Sequence, residues 1–284
     1  MAEVIKVLIE PFSYGFMLRG LAASVTVAIV CAVVGIYVVL RGMAFLGDAL
    51  AHAILPGVAL GYLIGGGNLD NLFWWAMGTA ILVALVIGRI TKRAEIREDT
   101  AIGIVFASMF ALGIALISTM KSYSSDLSHF LFGNVLAVTN RDLVRTVIFG
   151  AIILLLVFLF YKEFMVLTFD PVLSATLRLP SGFLNNLLFI IMALAVSTAM
   201  QTVGVALMVA MLITPAATAL LITSRLWKGM IIAAVIGALS AVIGLYLSYY
   251  LNFVSGSAIV LTATVIFLLT FLFQPRKGLL WKKP

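Results

Sequence analysis

Asp48 and His52 stand four residues apart inside one long apolar run of this sequence, residues 44–66. At helical spacing, residues four apart share a face, so a carboxylate and an imidazole would lie within reach of one another and of a common ion. Ionisable groups in hydrocarbon cost about 2.5–3.5 kcal/mol each on insertion scales, so they persist where a ligand or partner compensates them. Two chemistries fit the pair. As a half-site for a divalent transition ion, the carboxylate suits Mn²⁺, the imidazole suits Mn²⁺, Fe²⁺ or Zn²⁺, and a second copy of the chain would complete the shell. As a neutral hydrogen-bonded pair, the same two groups would join helices. The other histidine, His129, follows Asp126 by three residues in the polar interruption 121–142; this pair reads either as a second, outer-side metal contact or as a solvated surface pair.

The elements that would hold Asp48 and His52 can be read around them. Pro56 has no N–H, so the carbonyl of His52 is released from the helical ladder and a kink is expected there. Gly57, Gly61 and Gly65 then recur every four residues, a small-residue stripe that lets another helix approach closely. Pro215, in "MLITPAATA", releases the carbonyl of Met211 in the same way, with Thr214 and Thr218 near enough to re-satisfy backbone. This predicts a broken helix over 204–222, separated from its predecessor by only Val203 and Gly204.

Of the 284 residues, 64% are apolar and 10% charged, against about 45–50% and about 25% in soluble domains. A chain of this size with so few charges cannot cover a water-facing exterior, which excludes a soluble globule and indicates an all-α polytopic membrane protein. Apolar runs near 20 residues lie at 17–40, 44–66, 72–91, 100–119, 142–161, 183–202, 204–222, 229–251 and 256–273. They make nine spans, or eight if one is a half-helix. With alternating loops, thirteen of the 18 Lys and Arg, from Arg41 to Lys283, fall on one side; Lys6, Arg19, Lys121, Arg141 and Arg145 fall on the other. The majority side is cytoplasmic by the positive-inside rule, which places the basic tail 274–284 in the cytoplasm and 121–142 outside.

The net charge of +7 is spread in short clusters between apolar runs, the pattern of membrane loops and not of a nucleic-acid surface. Residues 1–16 read as an interfacial amphipathic segment and not a signal peptide, and 1–284 as a single transmembrane domain. The single cysteine, Cys31, lies in an apolar run and offers no disulfide framework. Phosphate-binding G-x-x-x-x-G-K-[ST] and the hydrolase motifs H-E-x-x-H and G-x-S-x-G do not occur. The chain is therefore read as a non-enzyme whose energy comes from a separate subunit or an ion gradient.

The stretch "VVLRGMAFLGDALAHAILPGVALGYLIGG" (38–66) resembles the signature region of the membrane permeases of bacterial metal-ion ATP-binding-cassette (ABC) importers, the manganese, zinc and chelated-iron family. The segments "DLSHFLFGNVLAVT" (126–139), "MQTVGVALMVAMLITPAATALLIT" (200–223) and "LYLSYYLNFVSGSAIVL" (245–261) continue the likeness through nearly the whole chain. The resemblance implies a type II, vitamin B12-permease-like transmembrane domain. It also implies a homodimer, two cytoplasmic ATPase subunits, and an extracellular lipoprotein or periplasmic binding protein that delivers the ion. On this sequence the implied transit ligands are Asp48 and His52, and 126–139 looks most like the manganese branch, with zinc or iron as alternatives; a gradient-driven divalent-cation carrier is the other class. The segment "FDPVLSATLRLP" (169–180) resembles the element that couples such permeases to their ATPase. Phe169 opens it, Asp170 and Pro171 read as a helix start, and Ala175, Leu177 and Leu179 as apolar contacts for a groove.

Overall fold

The computed structural model describes residues 10–65, 69–94, 96–119 and 135–274. In hydrocarbon every backbone N–H and C=O must be paired within the chain, which favours helices over every open structure. Among the described residues there are twelve α-helices and no strand. They are α1 (Gly15–Leu40), α2 (Leu46–Ala53), α3 (Leu55–Gly65), α4 (Leu69–Ala94), α5 (Glu98–Ser118), α6 (Asn140–Leu159), α7 (Tyr161–Phe169), α8 (Pro171–Thr176), α9 (Ser181–Val203), α10 (Val205–Ile222), α11 (Leu226–Leu251) and α12 (Ser255–Phe273). With α2 and α3 counted as one, nine segments among the described residues are long and apolar enough to cross a membrane.

Two helices form the centre. α1 packs against α6, α9, α10 and α11, while α9 packs against α1, α4 and α6. The apolar window of α1 is 72% buried, against 22% for α5, α6 and α12, so those three form the rim. The α1–α10 contact is close enough that a Cβ on Gly35 would overlap the Leu212 carbonyl, which is how small residues let backbones meet when lipid supplies no hydrophobic drive between helices. The helix ends gather into two groups, as alternating spans require. One holds Arg41, Lys92, Glu98, Gly182 and Asn185; the other holds Arg19, Val135 and Val138 with Tyr14 and Tyr249.

The structure moves the predicted break. α10 runs unbroken through Pro215, which is buried inside it, so 204–222 is not a broken helix. Proline's fixed φ is compatible with a helix, and α1, α11 and α12 pack around α10 and hold its course. Thr218 Oγ1 donates to the Thr214 carbonyl at 2.7 Å. What separates α9 from α10 is Gly204 alone, at φ +88°, a conformation that favours glycine. The interruption lies instead between α2 and α3 at Ile54, two residues before Pro56. Here α5 presses on the kink: a Cβ on Gly113 would stand 2.7 Å from Leu55 Cβ and 3.2 Å from Pro56 Cδ.

The glycine stripe faces α4. A Cβ on Gly57 would overlap the Thr79 side chain and stand 2.7 Å from the Trp75 carbonyl oxygen; one on Gly61 would meet the Trp75 side chain at 2.9 Å. The close neighbour of the stripe is thus within the chain. Gly65 is the last residue of α3. The segment 1–9, the pair Asp126 and His129, and the tail from 275 lie outside the described residues.

Candidate functional site: an open carboxylate–imidazole face

α1 ends in a turn that aims the next helix. Gly42, at φ +71°, lets the Met43 N–H donate to the Val38 carbonyl at 2.9 Å while its own N–H donates to the Val39 carbonyl at 3.1 Å, the Schellman pattern that satisfies terminal carbonyls. α2 then begins at Leu46. Six of its eight residues are buried, and the two that are not are Asp48 and His52. Gly47, on another face, meets Met208, Val209 and Leu212 of α10. Packing of the small apolar residues therefore leaves the two ionisable groups together on the one open face of α2.

His52 Nε2 stands 3.6 Å from Asp48 Oδ1, and the two side chains are 34% and 40% exposed. That separation is too long for a good hydrogen bond. It is close to what two donors to one ion need: ligand bonds of about 2.1–2.2 Å leave donor atoms about 3.0–3.6 Å apart between octahedral and tetrahedral angles. Among the described residues no group of three or more His, Cys, Asp or Glu forms. Within those residues the pair offers an ion two donors and an open side.

α5 supplies the flank. The His52 ring lies edge-to-face with Phe110 at 5.6 Å between centroids and tilted against Phe106 at 6.2 Å. Phe106 and Phe110 stack at 5.7 Å, and Phe45 meets Phe106 edge-on at 5.5 Å. At the N-terminus of the same helix Glu98 Oε1 accepts from Arg41 Nη1 at 3.3 Å, and Arg41 Nη1 also donates to Asn185 Oδ1 of α9 at 2.7 Å. Arg41 is nearly buried; desolvation lowers its pKa, and Glu98 beside it opposes that shift. One guanidinium thus ties together the end of α1, the start of α5 and the start of α9, next to the turn that leads into the site.

The segment 169–180 folds as its sequence suggested in one respect and divides in another. Asp170 Oδ1 accepts the Leu173 N–H at 2.8 Å and Pro171 opens α8, an ordinary helix start. Ala175 lies within α8, and Arg178, at φ +51°, turns the chain after it. Phe169 and Leu177 are exposed together with Val172 and Leu173, whereas Leu179 packs on the core. At the opposite end of the molecule a cavity of about 670 Å³ is lined by Val135, Leu136, Val203, Leu207, Phe253 and Val254, with Ser255 and Ser257 as its polar members. Among the described residues it offers an ion no charged ligand.

Residues 13–274 match the ABC 3 transport family. The chain belongs to that family. This ABC 3 family chain is 51% identical over 270 residues to the manganese transport system membrane protein MntC of Listeria monocytogenes, covering 95% of each. It is 42% identical to the manganese import system permease protein ScaB of Streptococcus parasanguinis, covering 93% of this chain and 92% of that one. Among solved structures, PsaBC from Streptococcus pneumoniae in complex with Fab superposes with a TM-score of 0.81 at 41% identity, covering 96% of this chain and 97% of its counterpart. The ABC 3 chain is thus a multi-pass, all-helical membrane permease.

Sequence reasoning singled out Asp48 and His52 as a pair but not their surroundings. Phe106 and Phe110 carry the same i, i+4 spacing as Asp48 and His52, a signal that two matched helix faces could meet. Arg41, Glu98 and Asn185 are 57 and 144 residues apart and carry no local signal.

Proposed function

We propose that this chain is the membrane permease subunit of an ABC importer that carries a divalent transition-metal ion, manganese foremost, into the cytoplasm, with Asp48 and His52 as transit ligands. The carrying observation is the pair itself: the only open positions of α2 are a carboxylate and an imidazole at ion-ligand separation. Its relatives named for manganese transport support the choice of ion; Zn²⁺ and Fe²⁺ suit the same donors.

A two-donor face calls for a second half, and a second copy of the chain supplies one, so the permease works as a homodimer. The chain holds no phosphate-binding loop, and two ATPase subunits supply the energy. Their docking surface is the exposed Phe169–Val172–Leu173–Leu177 patch around α8, which puts α7, α8 and the C-terminus on the cytoplasmic side, in line with the Lys and Arg distribution. An extracellular binding protein delivers the ion to the other end.

The test is uptake of ⁵⁴Mn²⁺ by cells or proteoliposomes carrying the complete transporter. Asp48→Ala and His52→Ala should each abolish uptake while the protein stays inserted, because each removes a ligand and relieves intramembrane polarity. Near-normal uptake by either variant would sink the assignment. Excess Zn²⁺ or Fe²⁺ competing better than Mn²⁺ would reassign the cargo, and uptake that persists without any ATPase subunit would make the protein a gradient-driven carrier.

A further inference from the structure

We propose that Phe106 and Phe110 are positioning residues for ion binding: they hold the His52 imidazole in the orientation that turns Nε2 toward Asp48, and they keep that flank of the site dry. The inference rests on the transit-ligand reading of Asp48 and His52 and adds two residues that contribute no ligand atom.

Four observations carry it. Asp48 and His52 are the open positions of α2, so α2 itself leaves the imidazole free to turn. The contacts that restrain it come from α5, as an edge-to-face contact from Phe110 at 5.6 Å and a tilted one from Phe106 at 6.2 Å. Those two rings are themselves fixed, being stacked on one another and braced by Phe45. The register of α5 against the α2–α3 unit is set by Gly113, whose backbone lies against Leu55 and Pro56 at the kink. Gly113 is three residues beyond Phe110 and Pro56 four beyond His52, so the contact at the kink brings Phe110 and His52 to the same level.

An imidazole ligates through a lone pair in the ring plane, so its orientation decides whether Nε2 and Asp48 Oδ1 can meet one ion. A ring already held there does not have to be ordered when the ion arrives, and preorganisation of one side chain is worth about three- to tenfold in affinity. The aromatic wall also offers no oxygen, which disfavours Ca²⁺ with its demand for six to eight oxygen ligands.

The experiment is Mn²⁺ binding to the full chain in lipid nanodiscs, followed by the loss of the free-ion EPR signal, with affinity and stoichiometry fitted separately. Phe110→Ala should weaken binding about three- to tenfold at unchanged stoichiometry. Phe110→Leu, which keeps apolar volume but not the ring, should weaken it in the same direction, Phe110→Tyr should bind as the parent does, and Ca²⁺ should compete better in the Ala variant. A merely structural role would lower the stoichiometry and leave the affinity of the remaining sites alone. Unchanged affinity in both the Ala and the Leu variants overturns the proposal, as does an equal loss on adding Phe110→Ala to His52→Ala. Full Mn²⁺ binding by His52→Ala alone would instead overturn the ligand assignment beneath it.

Discussion

Gly57→Ala should destabilise the protein by about 1–2 kcal/mol, while Gly61→Ala should be close to neutral. At Gly57 the added Cβ would stand 2.7 Å from the Trp75 carbonyl oxygen and 2.7 Å from Thr79 Cβ. Relief of these two contacts requires α3 and α4 to part by roughly 0.7 Å before they reach the ordinary 3.4 Å, and the Thr79 hydroxyl, which the new atom overlaps outright, must turn away as well; a backbone carbonyl and a β-branched Cβ give little. Overpacking costs about 1–3 kcal/mol; partners this stiff put Gly57 in the upper part of that range, about 2–3, offset by about 1 kcal/mol because alanine is the better helix former. At Gly61 the three nearest atoms all belong to the Trp75 side chain, its Cβ at 2.9 Å and its Cγ and Cδ1 at 3.0 Å. Trp75 is 39% exposed, so its ring can swing away; its Cβ cannot, and the one contact left at 2.9 Å is smaller than the overlap at Gly57 and about offset by the propensity gain. Thermal unfolding of the two variants in detergent micelles, with uptake measured alongside, reads the difference. Thr79→Ala should rescue Gly57→Ala only in part, since Trp75 O and the Cβ of residue 79 remain. A Gly61→Ala variant less stable than Gly57→Ala, or a Gly57→Ala variant as stable as the parent, would show that α3 does not ride on the α4 backbone as described.

Arg41→Ala should cost about 3 kcal/mol, because it leaves the half-buried Glu98 carboxylate and Asn185 without their shared donor; adding Glu98→Gln should recover most of that loss in a thermal melt, and a double variant no better than the single would refute the pairing. Leu177→Asp should abolish co-purification of the ATPase subunit with little change in stability, since Leu177 is 55% exposed. Leu179→Asp should lower stability itself, because it places a charge against the core. Equal behaviour of the two would mean that 169–180 does not present the face described.

The number of spans, their approximate limits and the polar pair were legible because hydrocarbon imposes a severe filter: about 20 apolar residues per crossing, and almost no ionisable group inside one. Asp48 and His52 stood out against that background, and their four-residue spacing already placed them on one face. The start of α8 at Asp170–Pro171 was legible for the same local reason, since a cap and an N-terminal proline act within one turn. What could not be read is which face of each helix meets which neighbour. A membrane helix is apolar both toward lipid and toward its partners, so hydropathy carries no direction. The stripe at Gly57 and Gly61 announced a close approach without naming Thr79 and Trp75. Pro56 and Pro215 present the same local chemistry, yet one sits at an interruption and the other in a continuous helix. Gly113 pressing on Leu55–Pro56, and α1, α11 and α12 packed around α10, make that difference. Leu177 and Leu179 are two residues apart and chemically identical, and only the turn at Arg178 sends one outward and the other to the core. Local chemistry therefore set the Asp48–His52 pair, the caps and the spans, whereas the orientation of every apolar face, the aromatic wall on His52 and the Arg41–Glu98–Asn185 tie were decided by tertiary packing, because each depends on residues that meet only when distant helices are side by side.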